Sequence, residues 1–366
     1  MQPDAEGFMQ PVVASECIEC GKCLRNCPVA SPVSTDAPLE GFAAYLQNRD
    51  TLRNSSSGGI FVAIAEAILA SGGVVFGCAE DLPGEPSHVV IEVRDELARL
   101  QGSKYVQSDL SGVFGQVVQY LNRNIPVLFA GTPCQVAGLL HFAGPRKNLY
   151  TIDLICHGVP SRKMYQAYLS WLEGVTNAKV KQFVFRSKKK HDWSLTYRVE
   201  MEANGKQRVQ EKMASLSPYY SHFLKGLDYR ESCYCCPFAR TERVGDVTLG
   251  DFWGIENVLP SFRNTDGISA VLINSVKGRE LWNWIQDRVV YESVDVAQIV
   301  ARNGQLRAPT KRPPERDQIY GVLETQGYAG VVRMYENRKE IIVDSIKDCI
   351  PNRIRQKIKQ VIHSFR

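Results

Sequence analysis

The stretch Cys17-Ile-Glu-Cys20-Gly-Lys-Cys23-Leu-Arg-Asn-Cys27-Pro28 sets four thiols at the spacing C-x2-C-x2-C-x3-C-P. So short a run holds too little apolar surface for a core of its own. What it ligates must hold it together, because metal-binding free energy becomes folding free energy. Thiolates at this spacing wrap the corners of an iron–sulfur cubane, and the proline turns the chain away from it. Four thiols also suit tetrahedral zinc. Zinc motifs, however, usually come as two cysteine pairs held apart by a longer loop, so one short run ending in Cys-Pro favours a 4Fe–4S cluster. The fourth cysteine of such a run often ligates a different cluster, which leaves Cys27 open to a local or an inner role.

The rest of the composition fits redox duty. The chain of 366 residues has room for one large domain or two, and it holds 11 cysteines. Its start, Met1-Gln-Pro-Asp-Ala-Glu, has neither the basic region nor the apolar core of a secretory signal. Reduced thiols in a cytoplasmic protein are the expectation. No apolar run approaches the ~20 residues of a membrane-spanning helix. Net charge is +5, and the last sixteen residues carry five Lys or Arg and no acid, so the body is close to neutral. That argues against a nucleic-acid footprint.

Texture divides the chain into three parts. Residues 1–38 read as a small ferredoxin-like 4Fe–4S segment closing in the Pro/Ser-rich linker Ser31–Pro38. Residues 39–320 alternate strands and helices, the pattern of an α/β domain with a mixed sheet. Residues 321–366 read as a helical, basic tail. There Ile350, Ile354, Ile358, Val361, Ile362 and Phe365 recur at near-helical spacing, suited to packing on the core or a partner, or to peripheral membrane contact.

Within the α/β part, Ser57-Gly58-Gly59 precedes a helix that is apolar all round. Ser57 reads as its N-cap, and the glycines as a place where a ligand phosphate meets backbone amides. Ser103-Lys104-Tyr105 breaks the pattern with a cation and an aromatic ring that suit a flavin. Two strand–turn–helix units follow, Ile125–Gln135 and Leu149–Gly158, and each carries a cysteine just past its strand, Cys134 and Cys156. Parallel strands would bring both thiols to the carboxyl edge, where open α/β sheets bind ligands. Cys233-x2-Cys236-Pro237 completes four thiolates for a second cluster, with Cys235 the spare. Cys78 and Cys349 read as buried small hydrophobes. The charge run Arg186-Ser-Lys-Lys-Lys-His-Asp-Trp193 reads as a solvated loop or a docking place for an acidic donor protein. Asp246 reads as a brace of the sheet.

The ordered set Ser57–Gly59, Gly102–Tyr105, Gly131–Gln135, Cys156–Gly158, Cys233–Pro237 and Gly245–Gly254 resembles the coenzyme F420 hydrogenase/dehydrogenase beta-subunit family over roughly residues 15–290. The resemblance implies an FAD-bearing α/β domain with iron–sulfur ligation. It implies cluster ligands at Cys134, Cys156, Cys233 and Cys236 beside the local set Cys17, Cys20, Cys23 and Cys27. It also implies flavin contacts from Ser57, Gly58, Gly59, Ser103, Lys104, Tyr105, Thr132 and Gln135. Bacterial members with such an N-terminus also resemble proteins associated with surface-polysaccharide synthesis.

Together these features point to an oxidoreductase with two 4Fe–4S clusters and FAD. Electrons would pass from ferredoxin or a similar donor to a small organic acceptor, with Lys104 and His157 polarising the flavin or supplying a proton. The rival reading is an electron-transfer subunit that has no substrate of its own and serves a partner enzyme. A third is a zinc-stabilised scaffold.

Overall fold

The run Val127-Leu-Phe-Ala is apolar at consecutive positions, so a strand made from it must be covered on both faces. The computed structural model, which describes residues 1–33, 35, 37–190 and 192–350, meets that requirement with a helix-covered sheet.

The chain opens with a hairpin, β1 (Gln2–Pro3) and β2 (Met9–Gln10), and a single helical turn, α1 (Lys22–Arg25). Then follow β3 (Glu40–Leu46), α2 (Arg49–Asn54), α3 (Ile60–Ala70), β4 (Val74–Ala79), β5 (Ser87–Ile91) and α4 (Val113–Asn122). The two matching units are β6 (Val127–Gly131) with α5 (Pro133–Ala143), and β7 (Leu149–Leu154) with α6 (Arg162–Thr176). A separate meander, β8 (Lys179–Val184), β9 (Thr196–Ala203) and β10 (Lys206–Met213), precedes α7 (Pro218–Lys225) and β11 (Val247–Asp251). Next come β12 (Ser269–Ile273), α8 (Val276–Asn283), β13 (Val289–Ser293) and α9 (Val296–Arg302). The described chain ends with α10 (Arg316–Tyr335), broken at Gly327, and α11 (Arg338–Cys349).

The main sheet has eight strands in the order β13-β3-β12-β11-β7-β6-β4-β5. β4, β6, β7 and β11 are parallel neighbours, as the matching strand–turn–helix units require. β12 lies antiparallel to both β11 and β3, so β3 points the same way as the parallel set. The expected α/β architecture, a mixed-sheet core followed by a helical C-terminal region, is what the chain adopts. α3 and α8 cover one face through Ile60, Ile64, Ile68, Leu281 and Trp282. α4 and α5 cover the other through Val113, Val117, Val136 and Leu139. The meander packs with α6, α7 and α10 in a second, tyrosine-rich core. Its β9–β10 hairpin turns at Asn204 and Gly205, both at positive φ (51° and 71°), as that dipeptide predicts.

Several local expectations change. β3 is an inner strand of the sheet that no sequence signal marked. The cap position of α3 is Gly59 at φ 79°, not Ser57, whose hydroxyl instead donates to the Ile268 carbonyl at 3.0 Å. Cys349 is exposed rather than buried. The basic tail beyond Ile350 lies outside the described residues. Among the described residues no helix is long and apolar enough to cross a membrane.

One buried ion pair fixes the centre of the sheet. Asp153 on β7 and Arg243 in the approach to β11 meet at 2.9 Å, with side chains 0% and 1% exposed. Asp153 also accepts from the Thr248 hydroxyl (2.7 Å) and the Gly245 amide (3.0 Å). Removing one partner of such a pair leaves the other charge buried and uncompensated. Asp153→Asn is therefore expected to lower unfolding free energy by about 3 kcal/mol, read from urea melts. A loss near zero would show that water or repacking compensates.

Candidate functional site

The parallel register sends the ends of β3, β4, β6, β7 and β11 to one carboxyl edge. β6 ends at Gly131, and Thr132 then caps α5 in a reciprocal box with Gln135. The Gln135 side chain accepts from the Thr132 amide at 2.9 Å and donates to the Ser108 hydroxyl at 2.9 Å. Cys134 sits in the first turn of α5, its Sγ 3.2 Å from the Thr132 hydroxyl. β7 ends at Leu154, and Cys156-His157-Gly158 follows. Gly158 has φ 140°, and a Cβ there would collide with the Tyr229 ring at 2.3 Å, which explains the glycine.

Cys233 and Cys236 come to the same place from the loop after α7. Burial raises the Cys156 thiol pKa well above its usual value, and the Cys233, Cys134 and Cys236 thiols add to the shift. Burial pushes Cys233 up to about 12, with further contributions from Cys134 and Cys236. Burial also raises Cys236, and Cys134 adds to it. Every pair among the four is thus within electrostatic range. Backbone amides oppose these shifts: Gly158 at Cys156, Val159 at Cys233, and Phe238 and Ala239 at Cys236. Four soft sulfurs gathered in one place make a donor set that fits an iron–sulfur cluster. Cys235 is exposed and faces the Glu231 and Ser232 carbonyls.

The N-terminal set stands differently. Cys17, Cys20 and Cys23 are exposed and Cys27 is half-buried, on a loop turned by positive φ at Glu19 and Gly21. The Glu19 amide donates to Cys17 Sγ at 3.4 Å. Among the described residues no group of three or more His, Cys, Asp or Glu side chains already stands at metal-ligand spacing. The loop is tied to the body beside the second cysteine set. The Ser31 carbonyl meets His141 Nε2 on α5, and the Thr35 hydroxyl accepts from Arg240 at 2.8 Å.

The two segments expected to hold flavin are joined by Ser56, a residue that no sequence motif singled out. Its hydroxyl accepts from the Ser103 amide (2.7 Å) and lies 2.9 Å from the Ser103 hydroxyl. Gly58 needs its missing side chain for the sheet itself, since a Cβ would sit 2.2 Å from the Ala44 carbonyl. Lys104 turns inward, donating to the Gln101 (2.8 Å) and Arg99 (3.1 Å) carbonyls. Burial lowers its pKa, while Cys78, Glu80 and Asp81 pull it back up. The Tyr105 ring stacks on Phe223 at 4.3 Å. Burial also lowers the His157 pKa, opposed by Asp251.

The charge run after β8 is not a uniformly solvated loop. Arg186 and Lys188 are 5% and 2% exposed. Arg186 pairs with Asp251 at the end of β11 and reaches the Tyr105 hydroxyl at 3.3 Å. Trp193 donates to Asp251 at 3.1 Å and stacks on Trp253 at 4.4 Å. Lys188 donates to the Ser57 (2.7 Å) and Leu52 (3.0 Å) carbonyls. Alternating basic and small residues directly after a strand are the only trace of this in the sequence. Asp246 braces the sheet as expected, accepting from the Thr151 amide and hydroxyl at 2.8 Å each.

The edge carries gathered thiols on one side and buried cations and aromatic rings on the other, and two family profiles place the chain among oxidoreductase-related subunits of the hydrogenase and dehydrogenase type. Residues 41–114 match the N-terminal profile, and residues 126–298 the C-terminal profile, of the family described as coenzyme F420 hydrogenase/dehydrogenase, beta subunit. The chain belongs to the coenzyme F420 hydrogenase/dehydrogenase beta-subunit family. A search of curated proteins finds no match. Among solved structures, the chain is similar to a chain of the F420-reducing NiFe hydrogenase complex from Methanosarcina barkeri. The two share 16% identity with a TM-score of 0.47, over 80% of this chain and 94% of that one.

Burial, with the Arg186 charge beside it, lowers the Lys188 pKa to about 7. Between that value and its ordinary 10.5, the unfolded chain binds the proton and the folded one does not, so stability rises with pH. Below about pH 7 both states are protonated and the cost of burying the charge is fully present. Urea melts at pH 7.5 and 9.5 are expected to show a gain from this residue of at most about 1.4 kcal/mol per pH unit. Lys188→Met should remove it, and an equal slope in the variant would place the shift elsewhere.

Proposed function

We propose that this chain is a flavin- and iron–sulfur-dependent electron-transfer subunit that works with a partner polypeptide. The observation that carries the reading is the gathering of Cys134, Cys156, Cys233 and Cys236 from three separate stretches at one sheet edge. These four would hold an inner 4Fe–4S cluster. Cys17, Cys20, Cys23 and Cys27 would hold an outer one at the surface, within reach of ferredoxin or a similar donor. The neighbouring edge suits FAD: Ser56 joins the Ser57–Gly59 and Ser103–Tyr105 segments, and Thr132 and Gln135 shape the turn beside them. The clusters supply one-electron carriage and the flavin stores a pair. His157 follows Cys156 directly in the chain, and as the neutral imidazole that burial favours it is suited to accept a proton there. The family description names a subunit, which favours this reading over a self-sufficient reductase acting on an organic acceptor, for instance in surface-polysaccharide metabolism.

Anaerobic purification with iron, sulfide and flavin analysis is expected to give about eight Fe and one FAD per chain. A colourless protein with zinc and neither iron nor flavin would establish a scaffold instead. Cys20→Ala is expected to abolish flavin reduction by reduced ferredoxin while FAD stays bound. Loss of FAD from that variant would contradict the division between outer entry and inner site. Turnover of an organic acceptor by the isolated chain with reduced ferredoxin would favour the reductase reading.

A further inference from the structure

Arg186 and Lys188 are separated by one residue and lie close enough that the charge of one bears on the other. Arg186 directs Nη1 to Asp251 Oδ2 (2.5 Å) and to the Tyr105 hydroxyl (3.3 Å), and Nη2 to Asp251 Oδ1 (3.3 Å). Its Nε is buried and has no acceptor among the described residues, although the side chain is only 2% exposed. Lys188 forms no ion pair with a described carboxylate. When it carries its proton, Lys188 has three ammonium hydrogens, and the Leu52 and Ser57 carbonyls take two. Arg186 Nε, and the third hydrogen of a protonated Lys188, are therefore left over at one corner. A buried donor without a partner is costly, and a buried charge more so.

The carboxylates nearest these two cations are shared with other partners. Asp251 pairs with Arg186, while Asp266 is shared by Arg49 and Arg53 at 2.8 and 3.6 Å. Arg49 is exposed and also lies in the field of Asp50 and Asp192. Aromatic rings border the corner: Tyr105, stacked on Phe223 at 4.3 Å, and Trp253, stacked on Trp193 at 4.4 Å with the Arg186 guanidinium 5.2 Å from its ring centre. Phosphates are met elsewhere in proteins by glycine-rich turns and helix N-termini. A spare cationic donor bordered by aromatic rings suits a planar ring that carries negative charge.

We infer that Arg186 and Lys188 form the corner that receives the negative charge of the reduced flavin ring. The inference rests on the flavin reading above and names the residues that set the flavin's potential. Arg186 supplies a fixed guanidinium held in orientation by Asp251. Lys188 supplies an ammonium held by the Ser57 carbonyl, which couples the corner to the Ser57–Gly59 segment. Lys104, the cation the sequence pointed to, is held by the Arg99 and Gln101 carbonyls instead.

Sulfite titration of the oxidised flavoprotein tests this without turnover. The sulfur lone pair forms a bond to flavin N5, and an electron pair moves to the N1–C2 end of the ring, so the adduct's stability reports positive charge there. In anaerobically purified protein, Arg186→Gln and Lys188→Gln are each expected to weaken sulfite binding about tenfold or more. Both should lower the flavin midpoint potential, with FAD affinity changed much less. Arg186→Lys keeps the charge and should stay near wild type, and Lys188→Gln carries the test if Arg186→Gln does not fold. Unchanged sulfite affinity and potential in flavin-loaded variants would overturn the inference while leaving the flavin reading intact. Loss of FAD affinity with sulfite affinity unchanged would overturn it too, assigning the corner to the cofactor's phosphates. A wild-type protein that neither carries nor binds FAD would overturn the underlying reading and this inference with it.

Discussion

The carboxylate of Asp153 is the pivot of the sheet edge that carries the cysteines. It lies near the end of β7, three residues before Cys156, and holds Arg243 with its charge fully buried. Arg243 reaches back to the Phe238 carbonyl at 2.9 Å, in the loop that carries Cys236, and to the Leu154 carbonyl at 3.2 Å. One ion pair therefore joins the strand that delivers Cys156 to the loop that delivers Cys236. Cys134 arrives independently, through the parallel register of β6 on β7. The donor set depends on long-range pairing, not on local spacing, unlike the N-terminal run, whose four cysteines follow one another at fixed short intervals.

The difference explains what is legible in the sequence. Local signals suffice where one element decides the outcome: the Asn204-Gly205 hairpin, the paired strand–turn–helix units, and the two cysteines past their strands. The cysteine spacing of the N-terminal run is legible for the same reason. β3 is not, because Glu40-Gly-Phe-Ala-Ala-Tyr-Leu46 has little β-branched character. Its place between β12 and β13 comes from tertiary pairing. Ser57 looks like a cap because the residue type is right, yet the chain needs φ 79° at Gly59 to start α3.

Charge is the least legible property. In a sequence, Arg186-Ser-Lys188-Lys-Lys190 is a basic loop. In the fold it divides: Arg186 and Lys188 go inside, while Lys190 pairs with Asp348 on α11. Burial of the first two is tolerated because Asp251, Tyr105 and the carbonyls of Leu52 and Ser57 lie in wait for them. None of those partners is close in sequence. Lys104 shows the reverse: its small polar neighbours suggest a free cation, and the backbone of Arg99 and Gln101 claims it.

The central claim is that the inner thiols bind a cluster without help from the N-terminal run. Mössbauer spectroscopy of iron-57-loaded protein in which Cys17, Cys20, Cys23 and Cys27 are all replaced by serine tests it most directly. The account predicts the spectrum of one cubane, about four Fe per chain, lost on the further change Cys156→Ser. A spectrum without cluster iron in the first variant, with the fold intact, would contradict it.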